Sequence, residues 1–316
     1  MAETVADTGE FGLIERIRTL LPPAPVGSVG IGDDAAVVDL SGPVVASVDA
    51  MVEGRHFKRE WAAAQEVGHR AAAAAMADIA AMGGSCRALL VALTVPADTE
   101  VSWVEELLTG MSDEAQDQDA VIIGGDVTRG ETVVISVTAL GSADTVITRS
   151  GAEPGDIVAL AGRQGWAAAG LTVLSRGFRS PRALVQAYQQ PHPPYESGPA
   201  AARGGATAMI DISDGLLADV QHLARASDVL VDLESGLIPV ADQLVETSSA
   251  FNVDPLTWVL AGGDDHSLVA TFPAGGPLPQ MFTMIGRVTA PGVNGPGVAV
   301  DGRHWSGQGG GHDHFR

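Results

Sequence analysis

The chain has 316 residues, 46% of them hydrophobic, enough for one large or two ordinary domains each with its own core. Its 39 acidic residues against 18 basic ones give a formal net charge of −21, a balance that repels nucleic acid and anionic membranes. Lys58 is the single lysine, so elsewhere in the chain any phosphate must be held by arginine, backbone N–H groups or metal ions rather than by a P-loop or kinase lysine.

Residues 9–21, GEFGLIERIRTLL, place Phe11, Ile14, Ile17 and Leu21 at helical spacing. The stretch before them, MAETVADTGEFG, is acidic and lacks a basic segment followed by an apolar one, so a cytoplasmic protein without a secretory signal is expected. Two valine-rich segments, GDDAAVVDL and VVASVDAMVEG, read as strands. An alanine-rich helix over 62–82 ends at Gly83-Gly84; its most apolar stretch, RAAAAAMADIAAMGG (70–84), is too short to span a bilayer and carries Asp78 in its middle. ALLVALTVP (88–96) reads as a buried strand, and Cys86, just before it, is the only cysteine, which excludes an internal disulfide and a CxxC motif. A helix near 100–117, a strand DAVIIGGD ending in a glycine pair and a strand ETVVISVTALG (131–141) complete an α/β alternation. The Pro-Gly turn in ITRSGAEPGDIVAL places a domain boundary at 147/148. Beyond it come a helix after GRQGW, a helix near 181–190, an irregular loop at 189–199, a strand into DISDG, a helix at 214–226 and a strand at VLVDLE (229–234). Hairpin-like strands around FTMIGRV and VAVDGRHW precede a glycine-rich tail.

Five acidic clusters share one pattern, an aspartate at the end of an apolar strand or in a helix otherwise without charge: Asp33-Asp34, Asp49, Asp78, Asp126, and Asp211 with Asp214. Dispersed carboxylates suit Mg²⁺, which takes one or two of them alongside phosphate oxygens. Each cluster also has a plainer explanation. Asp33-Asp34 after Gly32 could form a turn, and Asp264-Asp265 after a glycine pair another. Ser213 and Asp214 stand at the start of a helix with the stripe Leu216, Leu217, Val220 and Leu223, where capping and the helix dipole account for them as well as a phosphate cradle does. Asp78, among alanine and methionine, needs a partner, either an arginine or a metal. Gly124-Gly125 reads as a bulge or as bare backbone for a phosphate to approach; Arg149 as a surface residue or a phosphate clamp; His56 as a hydrogen-bonded core histidine or a ligand contact.

The combination of GIGDDAAV, SVDAMVEGRHF, MADIAAMGG, IIGGDVTRG, TRSGAEPGD, IDISDGLLADV, AGGDDHSL and a terminal DHF resembles the thiamine-monophosphate kinase family, across essentially the whole chain. That resemblance implies mixed-sheet α/β subunits of the aminoimidazole ribonucleotide synthetase-like kind. The N-terminal domain (1–147) would bind ATP and Mg²⁺ and pair through its sheet in a homodimer, followed by a C-terminal α/β domain (148–316). It implies ATP-dependent phosphorylation of thiamine monophosphate to thiamine diphosphate by direct in-line transfer. Position by position it assigns Mg²⁺ to Asp34, Ser47, Val48, Asp49, Asp78, Asp126, Asp211 and Asp214, with Val48 able to contribute only its backbone carbonyl. Gly125, Asp126, Arg149 and Ser213 would contact ATP; His56, Asp264 and His312 would contact thiamine monophosphate. The chain departs from the family in reading Ser47-Val48-Asp49 for Ser/Thr-Thr-Asp, GGDDHSL for GGEDYEL, and His312 for the aromatic before the terminal DHF. The alternatives are another ATP-dependent enzyme of the same superfamily, or a metal- and nucleotide-binding regulator without turnover. Selenophosphate synthesis, one activity of that superfamily, usually uses a reactive Cys or Sec near the N-terminus, and the position of Cys86 after the helix speaks against it.

Overall fold

A computed structural model describes residues 2–25, 28–32, 35–293 and 295–306. Asp33, Asp34 and His312 lie outside them. The chain divides into two compact units, residues 1–79 with 85–144, and residues 80–84 with 145–316, where the sequence placed its boundary at 147/148.

In the first unit the elements run α1 (Val5–Leu20), β1 (Val44–Val52), α2 (Ala64–Ala81), β2 (Ser85–Val95), α3 (Val101–Gln116), β3 (Val121–Arg129) and β4 (Val134–Ser142). Thr4 and Asp7 start α1 with a reciprocal capping box. The apolar stripe expected there is corrected: Phe11 is 82% exposed, and the helix buries Leu13 and Ile17, followed by Leu21. Gly9 breaks the helical backbone with φ 71°, and in the segment beyond it Leu13 and Ile17, four residues apart, face inward while Phe11 lies on the opposite side of the helix. The strand expected over GDDAAVVDL is also corrected, since its described residues make only an isolated bridge, Val29 with Val37. The sheet runs β1-β4-β2-β3, with β2 and β3 parallel and the other pairs antiparallel. On β1, Val45 and Met51 are buried while Val44 and Val48 on the alternate face are 60% and 65% exposed, as the two-residue period of a strand requires.

In the second unit follow β5 (Ile157–Ala161), α4 (Trp166–Ser175), α5 (Arg182–Gln189), α6 (Ser197–Arg203), β6 (Ala208–Ile212), α7 (Leu216–Ala226), β7 (Leu230–Leu233), α8 (Asp242–Phe251), α9 (Pro255–Ala261), β8 (Ser267–Phe272), β9 (Thr283–Thr289), β10 (Gly297–Val300) and β11 (Arg303–His304). They form a mixed sheet in the order β11-β10-β7-β9-β5-β8-β6. Strands β6 and β8 are buried at every residue, so both faces of the sheet are covered there. One core packs the α7 stripe Leu216, Leu217, Val220 and Leu223 with Val231, Trp258 and Ile285; another centres on Met209, Leu268, Phe272 and Phe282. The hairpin expected around VAVDGRHW is present as β10 turning back into β11, whereas the strand around FTMIGRV, β9, is no hairpin arm and pairs with β5 and β7. Among the described residues no helix is long and apolar enough to cross a membrane.

Candidate active site

The sheet of the first unit presents three of the sequence-predicted residues on neighbouring positions of β1. Ser47 and Asp49 share a face of that strand and are half-buried; Val48 points its side chain the other way, into the open. The Ser47 hydroxyl donates to Asp78 Oδ2 at 2.5 Å, joining β1 to the middle of α2. Asp78 is therefore satisfied in part by a hydroxyl, neither an arginine nor a metal being needed for that bond. The backbone N–H of Ala50 donates to Asp49 Oδ1 at 2.7 Å, which holds the carboxylate beside its own strand.

At the end of β1 the Val52 N–H donates to His56 Nδ1 at 2.9 Å. That bond makes Nδ1 the acceptor, so the neutral ring carries its proton on Nε2, the donor nitrogen. Both sequence readings of His56 meet here: the ring is hydrogen-bonded and half-buried, and it stands at the strand end beyond Asp49.

Gly125 and Asp126 lie within β3, which runs through the glycine pair rather than ending at it. The register slips between Leu89 and Leu90, so the pair marks a bulge. A Cβ on Gly125 would sit 1.9 Å from the Val91 carbonyl oxygen; the close approach of β2 already demands glycine, whatever else comes near. Asp126 is exposed and pairs with Ala92, one cross-strand row from Asp49. Three strand spacings separate β1 from β3, about 14 Å along the sheet. The sheet thus brings Ser47, Asp49 and Asp78 together and leaves Asp126 on its far edge.

In the second unit Asp211 ends β6 buried, with its Oδ2 3.2 Å from Nδ1 of the buried His266. Ser213 and Asp214 follow, half-buried. The capping role read for these two is corrected: α7 begins at Leu216 behind Gly215, and no side chain of the N-cap residue serves it. Asp219, one turn into the helix, reaches back instead. Its Oδ2 accepts from the backbone N–H groups of Ser213, Asp214 and Gly215 at 3.0, 2.9 and 3.1 Å. Burial pushes the Asp219 carboxyl up to about 7, with the charges of Asp211 and Asp214 adding to the rise, so three carboxylates crowd this strand end.

The loop before β8 packs on the same place. Asp264 N–H donates to the Ser213 carbonyl at 2.9 Å and His266 N–H to the Ile212 carbonyl at 3.1 Å. A Cβ at Gly263 would lie 1.9 Å from the Ser213 oxygen, which reserves that position for glycine. Asp264 and His266 take positive φ, 66° and 50°, so the turn reading of Asp264-Asp265 holds as local geometry. Asp265 is buried; its Oδ1 accepts from Ala167 N–H at 2.9 Å at the head of α4, and burial pushes its carboxyl up to about 7. Arg149 is exposed, its carbonyl accepting from the Ser227 hydroxyl at 2.9 Å. Cys86 is buried and its thiol is pushed up to about 11, which leaves it no part in the chemistry.

Sequence reasoning missed Asp219, Asp265 and the contact of His266 with Asp211. The available signal for Asp219 was a charge inside the apolar run of α7; for Asp265 and His266 it was a polar run, DDHS, entering a strand whose residues are all buried.

Residues 32–143 match the family described as AIR synthase related protein, N-terminal domain. A thiamine-monophosphate kinase of Mycobacterium tuberculosis is 42% identical over 313 residues, covering 97% of this chain and 92% of the relative. The chain belongs to the thiamine-monophosphate kinase family. A crystal structure of the Aquifex aeolicus thiamine-monophosphate kinase superposes with a TM-score of 0.78 at 31% identity, covering 95% of this chain and 98% of that one. A structure of AaThiL complexed with AMPPCP and TMP gives a TM-score of 0.81 at 32% identity, over 97% and 98% of the two chains. The mixed α/β, two-sheet architecture is thus that of other thiamine-monophosphate kinases.

Proposed function

We propose that this chain transfers the γ-phosphoryl group of ATP to thiamine monophosphate, giving thiamine diphosphate and ADP. The observation that carries this reading is the 42% identity to a thiamine-monophosphate kinase over 97% of the chain. The pairing of AMPPCP, an analogue of ATP, with TMP in the AaThiL complex supports the choice of substrates.

The donors fit magnesium. Ser47 with Asp78 in the first unit, and Asp211 with Asp214 in the second, offer only oxygen, the preference of a hard cation. We assign Ser47, Asp49, Asp78 and Asp126 in the first unit, and Asp211 and Asp214 in the second, as Mg²⁺ ligands, with Asp34 and the Val48 carbonyl completing the set. Bound Mg²⁺ supplies charge neutralisation for phosphate oxygens and for the in-line transfer itself. Gly125, Asp126, Arg149 and Ser213 are assigned to ATP, and His56, Asp264 and His312 to thiamine monophosphate.

The acceptor is a phosphate oxygen, largely ionised at neutral pH because its second pKa is about 6, so no residue has to remove a proton from it. What the chain contributes is position and charge. His56, its Nδ1 occupied by Val52 N–H, offers Nε2–H to a phosphate or hydroxyl oxygen. Asp211 is oriented by His266, the carboxylate–histidine arrangement that steers a metal ligand from behind. Arg149 brings a fork of N–H donors suited to a phosphate.

The N-terminal domain, 1–147, carries the ATP- and magnesium-directed residues and pairs with a second copy through its sheet, and the C-terminal domain is 148–316. The exposed valines 44 and 48 support that pairing, because they leave the outer face of β1 apolar. A cytoplasmic enzyme is consistent with the single buried cysteine. The test is the metal dependence of Asp49→Asn and Asp34→Asn. Turnover should fall at least about tenfold at fixed Mg²⁺, in keeping with loss of a ligand. Unchanged Mg²⁺-dependent turnover in both would overturn the assignment.

A further inference from the structure

We infer that Asp219 is a positioning residue, an internal carboxyl seated at the head of α7 that fixes the Ser213–Gly215 backbone and so aims Asp214 and Ser213. The inference rests on the metal and nucleotide roles given to those two residues above.

Three consecutive backbone N–H groups converge on one oxygen, Asp219 Oδ2, at 2.9–3.1 Å. Successive N–H groups turned inward make a concavity for an anion, and a carboxylate there forms charge-assisted bonds stronger than neutral ones. Asp219 is 5% exposed, so water does not compete for these bonds. The N-cap residue of this helix is Gly215, which has no side chain to serve its start. The carbonyl side of the same segment is held as firmly. Ser213 C=O accepts from Asp264 N–H and Ile212 C=O from His266 N–H, while Gly263 lets the two backbones meet. The segment that carries Ser213 and Asp214 is therefore fixed through its amides on one side and its carbonyls on the other.

One consequence separates this arrangement from a phosphate cradle. The N–H groups that would bind a nucleotide phosphate are already occupied by Asp219, so Ser213 must meet ATP through its hydroxyl. The amides fix the backbone; the side chains of Ser213 and Asp214 do the binding.

The experiment compares the wild-type chain with Asp219→Asn, which keeps the shape but loses the charge, and Asp219→Ala, which empties the concavity. Mn²⁺ binding in the presence of AMPPCP is read by electron paramagnetic resonance, with melting temperature and steady-state kinetics alongside. The expected result is Mn²⁺ binding about tenfold weaker in Asp219→Asn, the scale seen when a residue supporting a ligand is lost. The Mg²⁺ concentration for half-maximal rate should rise in parallel, and KM for thiamine monophosphate should not move. Formate, small enough for the emptied concavity, should restore Mn²⁺ binding to Asp219→Ala. A folded Asp219→Asn with a lower melting temperature and unchanged Mn²⁺ binding overturns the inference, since that is what a purely structural residue would show. Should neither variant fold, hydrogen exchange of the wild-type chain decides. The amides of 213–215 should exchange at least about 100-fold more slowly than open peptide, and open-peptide rates overturn the inference. Mn²⁺ failing to bind the wild-type chain would instead count against the functional reading, and the exchange measurement would still decide the role of Asp219.

Discussion

At the scale of single residues, Asp219 and Asp265 of the second unit are buried carboxyls that desolvation pushes up to about 7. Asp265 has its carboxyl pushed up to about 7, first by burial, with the neighbouring Asp264 charge adding. The folded chain then keeps a proton between about pH 4 and 7 that the unfolded chain has released. Stability from this group is fully present below pH 4 and is lost as pH rises through 7. Denaturant titrations of the metal-free protein at pH 5 and pH 8 should show it, and Asp265→Asn should flatten that part of the profile; an unchanged profile would contradict it. In the first unit, Ser47→Ala removes the hydroxyl that bonds Asp78 and should raise the Mg²⁺ requirement about tenfold with little change in melting temperature. A Mg²⁺ titration of the initial rate checks this.

Most of the elements were legible because their residues repeat at the period of the structure they form. Helix α7 shows this most clearly: Leu216, Leu217, Val220 and Leu223 mark a face, and all four are buried. Leu223→Ala should cost about 2–5 kcal/mol in denaturant unfolding, the range for emptying a filled core position. What periodicity could not reveal is where backbone hydrogen bonds go. Ser213 and Asp214 look like capping residues by position, yet the acceptor is Asp219, which reaches back one turn. Phe11 fits the helical spacing in sequence and is exposed, because the helix turns Leu13 and Ile17 inward and Phe11 lies opposite them. The glycine pair of β3 was open to two readings, and the approach of the Val91 backbone, which no sequence pattern announces, supports the bulge and leaves the other untouched. Gly125→Ala should destabilise the first unit by about 1–3 kcal/mol, since a Cβ forces two strands apart; stability unchanged by that substitution would contradict the close approach.

At the scale of the whole molecule, an acidic chain handles two polyanionic substrates. Its net charge of −21 makes metal ions the natural source of positive charge, and the proposed ligands are aspartates in each unit. The candidate site was readable because a carboxylate within an apolar strand or helix stands out. The supporting residues were not, because His266 gains its meaning only when β8 brings it beside Asp211 of β6, and Asp265 only when the head of α4 packs on it. The proposed pairing of N-terminal sheets makes a further expectation: Val44→Lys should lower self-association in analytical ultracentrifugation, and a chain monomeric before and after the substitution would contradict the pairing. The most direct measurement is to incubate the purified chain with ATP, Mg²⁺ and thiamine monophosphate and follow the products by chromatography. Thiamine diphosphate and ADP formed in equal amounts, and abolished by chelator, are the predicted result; ATP bound with neither product formed would contradict it.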